Sequence, residues 1–414
     1  MNTVINTDVV ILGGGSAGVA AAVAAARLGL QVSLIERNAF LGGKATAAEV
    51  GTVCGLYHFT KNEEAVYLVK GFAHEFAEKL RSASGTTALH NNSGLHYLPY
   101  EIGAFKDLCY GLLQQYNITT YFGSIPYKVG VENNSINSIL ITANGKDIQL
   151  NAKAYIDCSG ESMISQLTDL PLIRSDHYQA AAQVFTLKGI GEISETHLGL
   201  ILMKDLRSAI EKKELDDYYD RVYIVQGSLK NGRVSLKLGL PLPVTHTPEN
   251  LESLQRMAHA FIEKLTEWLV ANIPVFKNAS IEHIAPEVGV RVGFRTMGNY
   301  VLAEEDVLGC RKFDDAVANV SWPIEEWGQD KRVRMRYFTY NDFYQVPAGC
   351  LQSGTVNNLF MGGRNISATD GAIASARVMG VCLQTGYAAG ILAAGHALGL
   401  PQKEMIKSIR EGQL

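Results

Sequence analysis

The stretch that decides the fold is Asp8-Val9-Val10-Ile11-Leu12-Gly13-Gly14-Gly15-Ser16-Ala17-Gly18, near the start of a chain of 414 residues. A short apolar, partly β-branched run that ends in glycines is typical of a buried strand in a parallel sheet. The alanine-rich segment from Ser16 to Leu28 predicts a helix that ends at Gly29, and residues 31–36 return to a strand pattern. The first 36 residues therefore predict a β-α-β unit with the usual right-handed crossover.

The glycines between this strand and this helix follow the pattern G-x-G-x-x-G. Gly13 permits a tight turn, Gly15 lets the backbone approach a pyrophosphate, and Gly18 lets the helix pack closely on the strand. Glu36 closes the second strand, where a carboxylate accepts hydrogen bonds from ribose hydroxyls. Together these residues predict a dinucleotide site. The alternative is a purely structural glycine turn.

Three later features favour a flavin dinucleotide over NAD. A second glycine turn, Gly42-Gly43-Lys44-Ala45-Thr46, follows Glu36 closely, although a plain loop is the alternative interpretation. Asp157-Cys158-Ser159-Gly160-Glu161 ends a further predicted core strand, at the edge where doubly wound sheets bind ligands. Gly362-Gly363-Arg364 leads through residues 369–372 into a helix predicted from Gly371 to about Ala397. The positive end of that helix would stabilise an anionic reduced flavin.

The order of predicted elements indicates an α/β fold. Three β-rich runs between residues 127 and 150, separated by Asn-containing turns, predict an antiparallel meander. After residue 165 short strands alternate with long amphipathic helices. We expect a Rossmann-like FAD-binding domain with a parallel central sheet and this meander, built from residues 1–165 and 341–414. An inserted α+β substrate domain is expected at 166–340.

The composition excludes several function classes. With 40 glycines but only 11 prolines, the chain has many tight turns or close packing contacts, such as Gly29, rather than low-complexity linkers. The net charge of −4, without basic runs, argues against nucleic-acid binding. Six scattered cysteines without a CxxC pair favour a reduced, cytoplasmic compartment and no metal site. The apolar segment Val378 to Leu400 carries polar residues and five glycines, which indicates a buried helix rather than a membrane span.

On these motifs the sequence resembles the FAD-dependent oxidoreductase family with the glutathione-reductase-type FAD fold. The resemblance covers both ends of the chain, Asp157 to Glu161 and residues 289–306, and is loose between about 165 and 280. It implies FAD as the cofactor, with Val129 of the meander beside adenine and Ala372 and Ile373 beside the flavin. The full set of implied FAD contacts is Gly13, Gly15, Ser16, Ala17, Gly18, Glu36, Arg37, Gly43, Lys44, Thr46, Val129, Ser159, Gly160, Gly363, Arg364, Ala372 and Ile373.

The candidate catalytic residues each have a structural alternative. Relatives often carry His where this chain has Asp370, so Asp370 either only caps a helix or also transfers protons. His58, close to the second glycine turn and to Cys54, is either a base or a structural group. Tyr344 either binds substrate or packs in the core.

Two arginines resemble a pair found in the family. Arg291 and Arg295 lie four residues apart and would bind an acidic substrate or stabilise charge. The alternative is an internal ion pair with Asp306 or Glu287.

We expect an FAD-dependent oxidoreductase that takes a hydride from a small organic substrate and is reoxidised by oxygen or another acceptor. Gly189-Ile190-Gly191 is followed by Ser194 instead of a third glycine, so no second dinucleotide site is expected. Two alternatives stay open: a flavin-dependent monooxygenase that uses NAD(P)H and oxygen, and a non-catalytic binding protein with the same fold. The expected partner is a small-molecule substrate, with no nucleic acid and no membrane, in a monomer or a homo-oligomer.

Overall fold

A five-stranded sheet, parallel at every pairing, forms the centre of the molecule. The computed structural model describes residues 3–175, 178–328 and 333–414. The strands, in spatial order, are Leu359–Met361, Ala154–Asp157, Val9–Leu12, Val32–Ile35 and Thr119–Tyr121. All twelve residues of the three middle strands are buried, which explains why all of them except Ser33 and Asp157 are apolar. The predicted parallel sheet is confirmed.

Two helices cross this sheet and pack on each other. Ser16–Arg27 follows the first glycine turn, and Met379–Leu398 lies against it. A Cβ atom on Gly386 or Gly390 would overlap the carbonyl oxygens of Ala17 and Ala21, so the small residues allow backbone contact. Met379–Leu398 is the one helix of the described chain that is long and apolar enough to cross a membrane, but 78% of its apolar window is buried in the protein. It is the buried core helix that the sequence predicts.

The predicted C-terminal helix is in fact two helices. The helix Asp370–Ala376 ends at Arg377, and Val378 adopts an extended backbone (φ −69°, ψ 154°) before the next helix begins at Met379. The break brings the Val378 side chain against Gly55, and Gly380 packs on the backbone of residues 54–55. The continuous helix expected from Gly371 to Ala397 is therefore wrong, because tertiary contacts at residues 378–380 override the local helix preference.

The meander forms a second sheet beside the parallel one. Its strands are Pro126–Glu132, Ser135–Ala143 and Lys146–Asn151, and Thr3–Asn6 joins it in parallel at the edge. The turn residues at 133–134 and 144–145 all have positive φ, as two-residue hairpin turns require. The antiparallel meander is confirmed, whereas the N-terminal edge strand was not predicted.

A further antiparallel sheet has a hydrophobic core of its own. Its strands, in spatial order, are Val222–Ile224, Arg233–Gly239, Ala182–Lys188 and Ser280–Ile284, with the helices Glu195–Glu211 and Pro248–Asn272. This second core contains residues from 181 to 290, whereas buried residues from Val292 onward join the core of the parallel sheet. The domain limits at 166 and 340 stay a prediction.

The remaining described elements complete the secondary structure. The other strands are Thr52–Cys54, Leu89–His90, His96–Pro99, Leu172–Ile173, Arg295–Thr296, Ala316–Val320, Ile324–Trp327, Val333–Arg336 and Tyr344–Pro347. The other α-helices are Lys44–Ala47, Gly71–Ser84, Ile102–Gln115, Met163–Leu167, Glu304–Leu308 and Gln402–Gln413.

Candidate functional site

The two glycine turns predicted from the sequence are in direct contact. The amide of Gly42 donates to the carbonyl oxygen of Gly14 at 2.9 Å, and a Cβ atom on Gly43 would lie 2.9 Å from the Cα of Gly15. Gly13 has φ +98°, and a Cβ atom on Gly18 would overlap the Gly13 carbonyl oxygen. Gly13 and Gly18 thus shape the strand–helix turn, whereas Gly15 and Gly43 form a surface of bare backbone.

A cleft that is open to solvent begins at these turns and extends to the antiparallel sheet of the second core. Its walls come from the carboxyl ends of the parallel strands, where doubly wound folds bind ligands. The residues predicted from the sequence that line it are Gly13, Gly15, Ser16, Ala17, Glu36, Arg37, Gly43, Lys44, Ser159, Gly160, Arg291, Gly363 and Arg364.

Five of the implied FAD contacts lie outside this lining. Gly18 is enclosed between helix and strand, and the Thr46 hydroxyl is buried and donates to the Leu41 carbonyl at 2.6 Å. Val129 lies on the meander, and Ala372 and Ile373 are completely buried in the core. The N-terminus of Met379–Leu398 takes the place expected for Ala372, since Val378, Met379 and Cys382 line the cleft.

Glu36 holds the first glycine turn at one end of the cleft. Its carboxylate accepts from the Gly14 amide at 2.6 Å and from the Asn38 amide at 2.8 Å. Burial raises the pKa of this carboxyl, and the two amide hydrogen bonds oppose the rise. The side chain therefore fixes the turn and also presents an acceptor at the cleft end where a ribose is expected.

Glu287 forms ion pairs with the two cations at this end of the cleft, Arg37 and Lys44, and the sequence did not predict these pairs. Its carboxylate lies 2.6 Å from both Arg37 Nη2 and Lys44 Nζ, and accepts from Asn38 Nδ2 at 3.0 Å. Burial opposes ionisation of Glu287, but Lys44 and Arg37 outweigh it and lower the pKa to about 2. No motif signals this contact, because Lys44 and Glu287 are 243 positions apart.

Replacing Glu287 with glutamine is expected to cost about 2–3 kcal/mol of folding stability at pH 7, from the depressed pKa of a side chain that is 22% exposed. Because the pKa of Glu287 is lower in the folded state than in the unfolded chain, the ionised carboxylate stabilises the protein above pH 4.5. This stabilisation is lost as the pH falls towards 2. The difference in urea unfolding between wild type and E287Q should therefore shrink below pH 4.5. Glu282→Gln, which breaks an exposed pair with Arg233, is the control and should change little. A pH-independent difference would contradict the assignment.

Arg295 and Asp370 form a pair away from the cleft lining. Arg295 is fully buried, and its Nη2 lies 2.5 Å from Asp370 Oδ1 and donates to Ser175 Oγ at 2.8 Å. The helix cap expected at Asp370 is Thr369 instead, whose hydroxyl accepts from the Ala372 amide, because Asp370 is already the first helical residue. Arg295 therefore pairs with neither Asp306 nor Glu287.

The other two catalytic candidates also lie outside the cleft lining. The His58 ring packs edge-on at 6.5 Å from Phe343, and burial lowers the pKa of its imidazole. Tyr344 is fully buried, with its hydroxyl 2.7 Å from Ser375 Oγ, and burial raises its pKa. The structure does not bring His58, Tyr344, Arg295 and Asp370 together with the glycine turns.

At the far end of the cleft, three cations surround one carboxylate. We call Lys237, Arg291 and Arg377 the cationic cluster; all three line the cleft beside Glu325 and Trp327. Of these, the sequence singled out only Arg291. Lys237 comes from the strand Arg233–Gly239, and Arg377 from the break between the C-terminal helices. Cys54 also lines this end, and burial raises the pKa of its thiol to about 12, which disfavours a thiolate.

Comparison with known proteins gives a family match over nearly the whole chain. Residues 8–402 match the family model described as FAD dependent oxidoreductase. No curated protein sequence matches the chain.

Solved structures of low sequence identity share the fold. The anhydrotetracycline hydroxylase OxyS from Streptomyces rimosus is 11% identical with a TM-score of 0.53, over 98% of this chain and 65% of its own. The aromatic hydroxylase CabE from angucycline biosynthesis is 10% identical with a TM-score of 0.51, over 98% and 65%. A geranylgeranyl bacteriochlorophyll reductase-like protein from Thermoplasma acidophilum is 13% identical with a TM-score of 0.50, over 99% and 83%. The chain thus spans slightly less than two thirds of each hydroxylase, and the likeness concerns the fold alone.

Proposed function

The chain belongs to the FAD-dependent oxidoreductase family, and from this premise we propose that it oxidises a small organic substrate held at the far end of the cleft. The observation that carries the proposal is the continuity of the cleft. One wall is the glycine-turn backbone of Gly15 and Gly43, and the other end is closed by Lys237, Arg291 and Trp327. A dinucleotide laid along the cleft therefore has its far end beside a site built from charged and aromatic side chains.

The residues of the cleft fit FAD. Gly15 and Gly43 expose backbone without side chains, and a Cβ atom on Gly43 would collide with Gly15. This surface lies at the N-terminus of the helix Ser16–Arg27, where phosphates bind favourably. Glu36 supplies the acceptor for a ribose. When bound, FAD supplies a ring that accepts a hydride from a substrate C–H or N–H bond.

The chain's own groups would bind and orient the reactants. The helix Met379–Leu398 begins at the cleft wall, so the amides of Met379 and Gly380 have no partner within the helix. Such an N-terminus favours negative charge, as an electron-rich flavin pyrimidine requires. Ala182 and Val184 of the second core's sheet also line the cleft, and they would exclude water from the reacting atoms.

The test is anaerobic mixing of the FAD-loaded protein with a panel of small acids, amines and alcohols, with flavin absorbance as the readout. We expect at least one substrate to bleach the flavin without NAD(P)H. The motif basis for this expectation is the single G-x-G-x-x-G segment, at Gly13–Gly18. Bleaching of the flavin by NAD(P)H that becomes faster when an aromatic substrate is added would instead support a monooxygenase. A protein that dithionite cannot bleach reversibly would support a non-catalytic binding protein.

A further inference from the structure

The cationic cluster has more positive charge than its partners among the described residues neutralise. Within the described part of the chain, Glu325 is the carboxylate that Lys237, Arg291 and Arg377 share, and it already accepts from two indole N–H groups. These are Trp327 Nε1 at 2.9 Å and Trp322 Nε1 at 3.2 Å. The nearest guanidinium nitrogen of Arg377 is 3.9 Å from the Glu325 carboxylate. Counted over the residues that the structure describes, three cations and one carboxylate leave an excess of two positive charges beside the cleft.

Lys237 is the least satisfied member of the cluster. Its ammonium lies 4.4 Å from the Trp327 ring centre and 5.6 Å from that of Tyr223, and among the described residues it has no hydrogen bond and no carboxylate oxygen within 4 Å. Burial lowers the pKa of Lys237 to about 8, and Arg291 adds to the shift while Glu325 and Cys54 oppose it. A cation held in this way gains stability from an anion that enters the cleft.

The two arginines are held in place by aromatic and backbone contacts. The Arg291 guanidinium lies 4.2 Å from the Trp327 ring centre and donates to the Ala180 carbonyl. Arg377 Nη2 donates to the Glu325 carbonyl and to Gln179 Oε1, each at 3.2 Å, and its Nε is buried without a partner in the described residues. Burial and then Arg377 lower the pKa of Arg291 to about 9. The guanidinium groups are therefore preorganised, and in the described part of the chain no carboxylate oxygen lies closer to either of them than the 3.9 Å between Arg377 and Glu325.

We propose that the cationic cluster binds a carboxylate group of the substrate, so that the substrate class is small organic acids. This inference rests on the proposed function, because it assigns the substrate of the same cleft. The planar forks of two arginines match a carboxylate, and Lys237 adds a point charge. The Trp327 ring offers an apolar face to the carbon skeleton beside the carboxylate.

The test is calorimetric binding of acetate, succinate and benzoate to the FAD-loaded protein at pH 7, with succinamide and inorganic phosphate as comparison ligands. We expect at least one carboxylate to bind, succinamide not to bind, and phosphate to bind more weakly. Lys237→Met should weaken carboxylate binding by about 10- to 100-fold, because it removes one charge-assisted hydrogen bond. Lys237→Arg should restore most of the affinity. Lys204→Met, at an exposed lysine on the helix Glu195–Glu211, is the control and should bind as wild type does.

Several results would overturn the inference, each measured on variants that retain FAD. They are equal binding of succinamide and succinate, phosphate binding as tight as the best carboxylate, unchanged affinity in K237M, or no carboxylate binding at all. Flavin bleaching by neutral substrates, unaffected by K237M, would overturn the substrate class and leave the oxidoreductase intact. Carboxylate binding that depends on Lys237, in a protein whose flavin no substrate bleaches, would support the anion site and contradict the proposed function.

Discussion

Replacing Gly15 with alanine is expected to weaken FAD binding by about 10- to 100-fold while leaving the protein folded. A loss of affinity of this size corresponds to the removal of one or more charge-assisted hydrogen bonds to phosphate. Gly15 has an ordinary extended backbone (φ −77°), and a Cβ atom there would meet only Gly43, at an unstrained 3.6 Å. The added methyl group would instead occupy the space that a pyrophosphate needs. Flavin fluorescence titration of the apo-protein measures the change.

Gly29→Ala is the matched control for this prediction. Gly29 has φ +81° just after the helix Ser16–Arg27, and a Cβ atom on it would have no neighbour within 4 Å, so alanine strains the backbone without touching the cleft. This also corrects the expectation that Gly29 serves close packing; its role is the left-handed turn after the helix. We expect G29A to lose about 1 kcal/mol of stability and to keep its FAD affinity. Equal FAD affinity in G15A and G29A would contradict the assignment of the first glycine turn.

Replacing Asp370 with alanine is expected to lower the free energy of unfolding by about 2–3 kcal/mol, because it leaves the buried Arg295 cation without its carboxylate. The figure lies below that for a fully buried pair, since the Asp370 side chain is 52% exposed. Ser175 Oγ and the Ala368 carbonyl remain as partners of Arg295 but carry no charge. Urea unfolding measures the loss, and Asp107→Ala on an exposed helix face is the control.

A double variant separates a positioning role of Asp370 from a catalytic one. Arg295→Met combined with D370A should recover part of the stability, because the uncompensated buried charge is then removed. If Asp370 only pairs with Arg295, Asp370→Asn should leave the pH profile of flavin reduction unchanged. A profile that loses one ionisation in D370N would show that Asp370 transfers a proton and contradict the pairing account.

Local backbone requirements make part of the site predictable from sequence. Gly13, with φ +98°, and Gly18, enclosed against Gly13, admit no side chain, so their spacing follows directly from the strand–turn–helix geometry. Asp157 is similar, since its buried carboxylate accepts from the Ser159 and Ile164 amides that follow shortly after it in the chain. Interactions of this kind lie within a few residues and leave a motif.

The other half of the cleft depends on contacts that leave no motif. Lys237, Glu325 and Arg377 come from three separate elements, and each is an ordinary residue of its own strand or helix end. The break at Val378 depends on packing against Gly55, more than 300 positions earlier. Without knowledge of which segments meet, the helical pattern from residue 371 onward predicts one helix, and the charges at 237, 325 and 377 look like unrelated surface groups.

The most direct test of the account is titration of the apo-protein with FAD and, separately, with FMN, followed by flavin fluorescence and absorbance. On our proposal the glycine turns and Glu36 bind the pyrophosphate and adenosine end of FAD, and FMN lacks the adenosine monophosphate part of that end. We expect one FAD bound per chain and an affinity for FMN lower by at least about 100-fold, because FMN cannot make several of the phosphate and ribose hydrogen bonds. A protein that stays colourless with FAD, or that binds FMN as tightly as FAD, would contradict it.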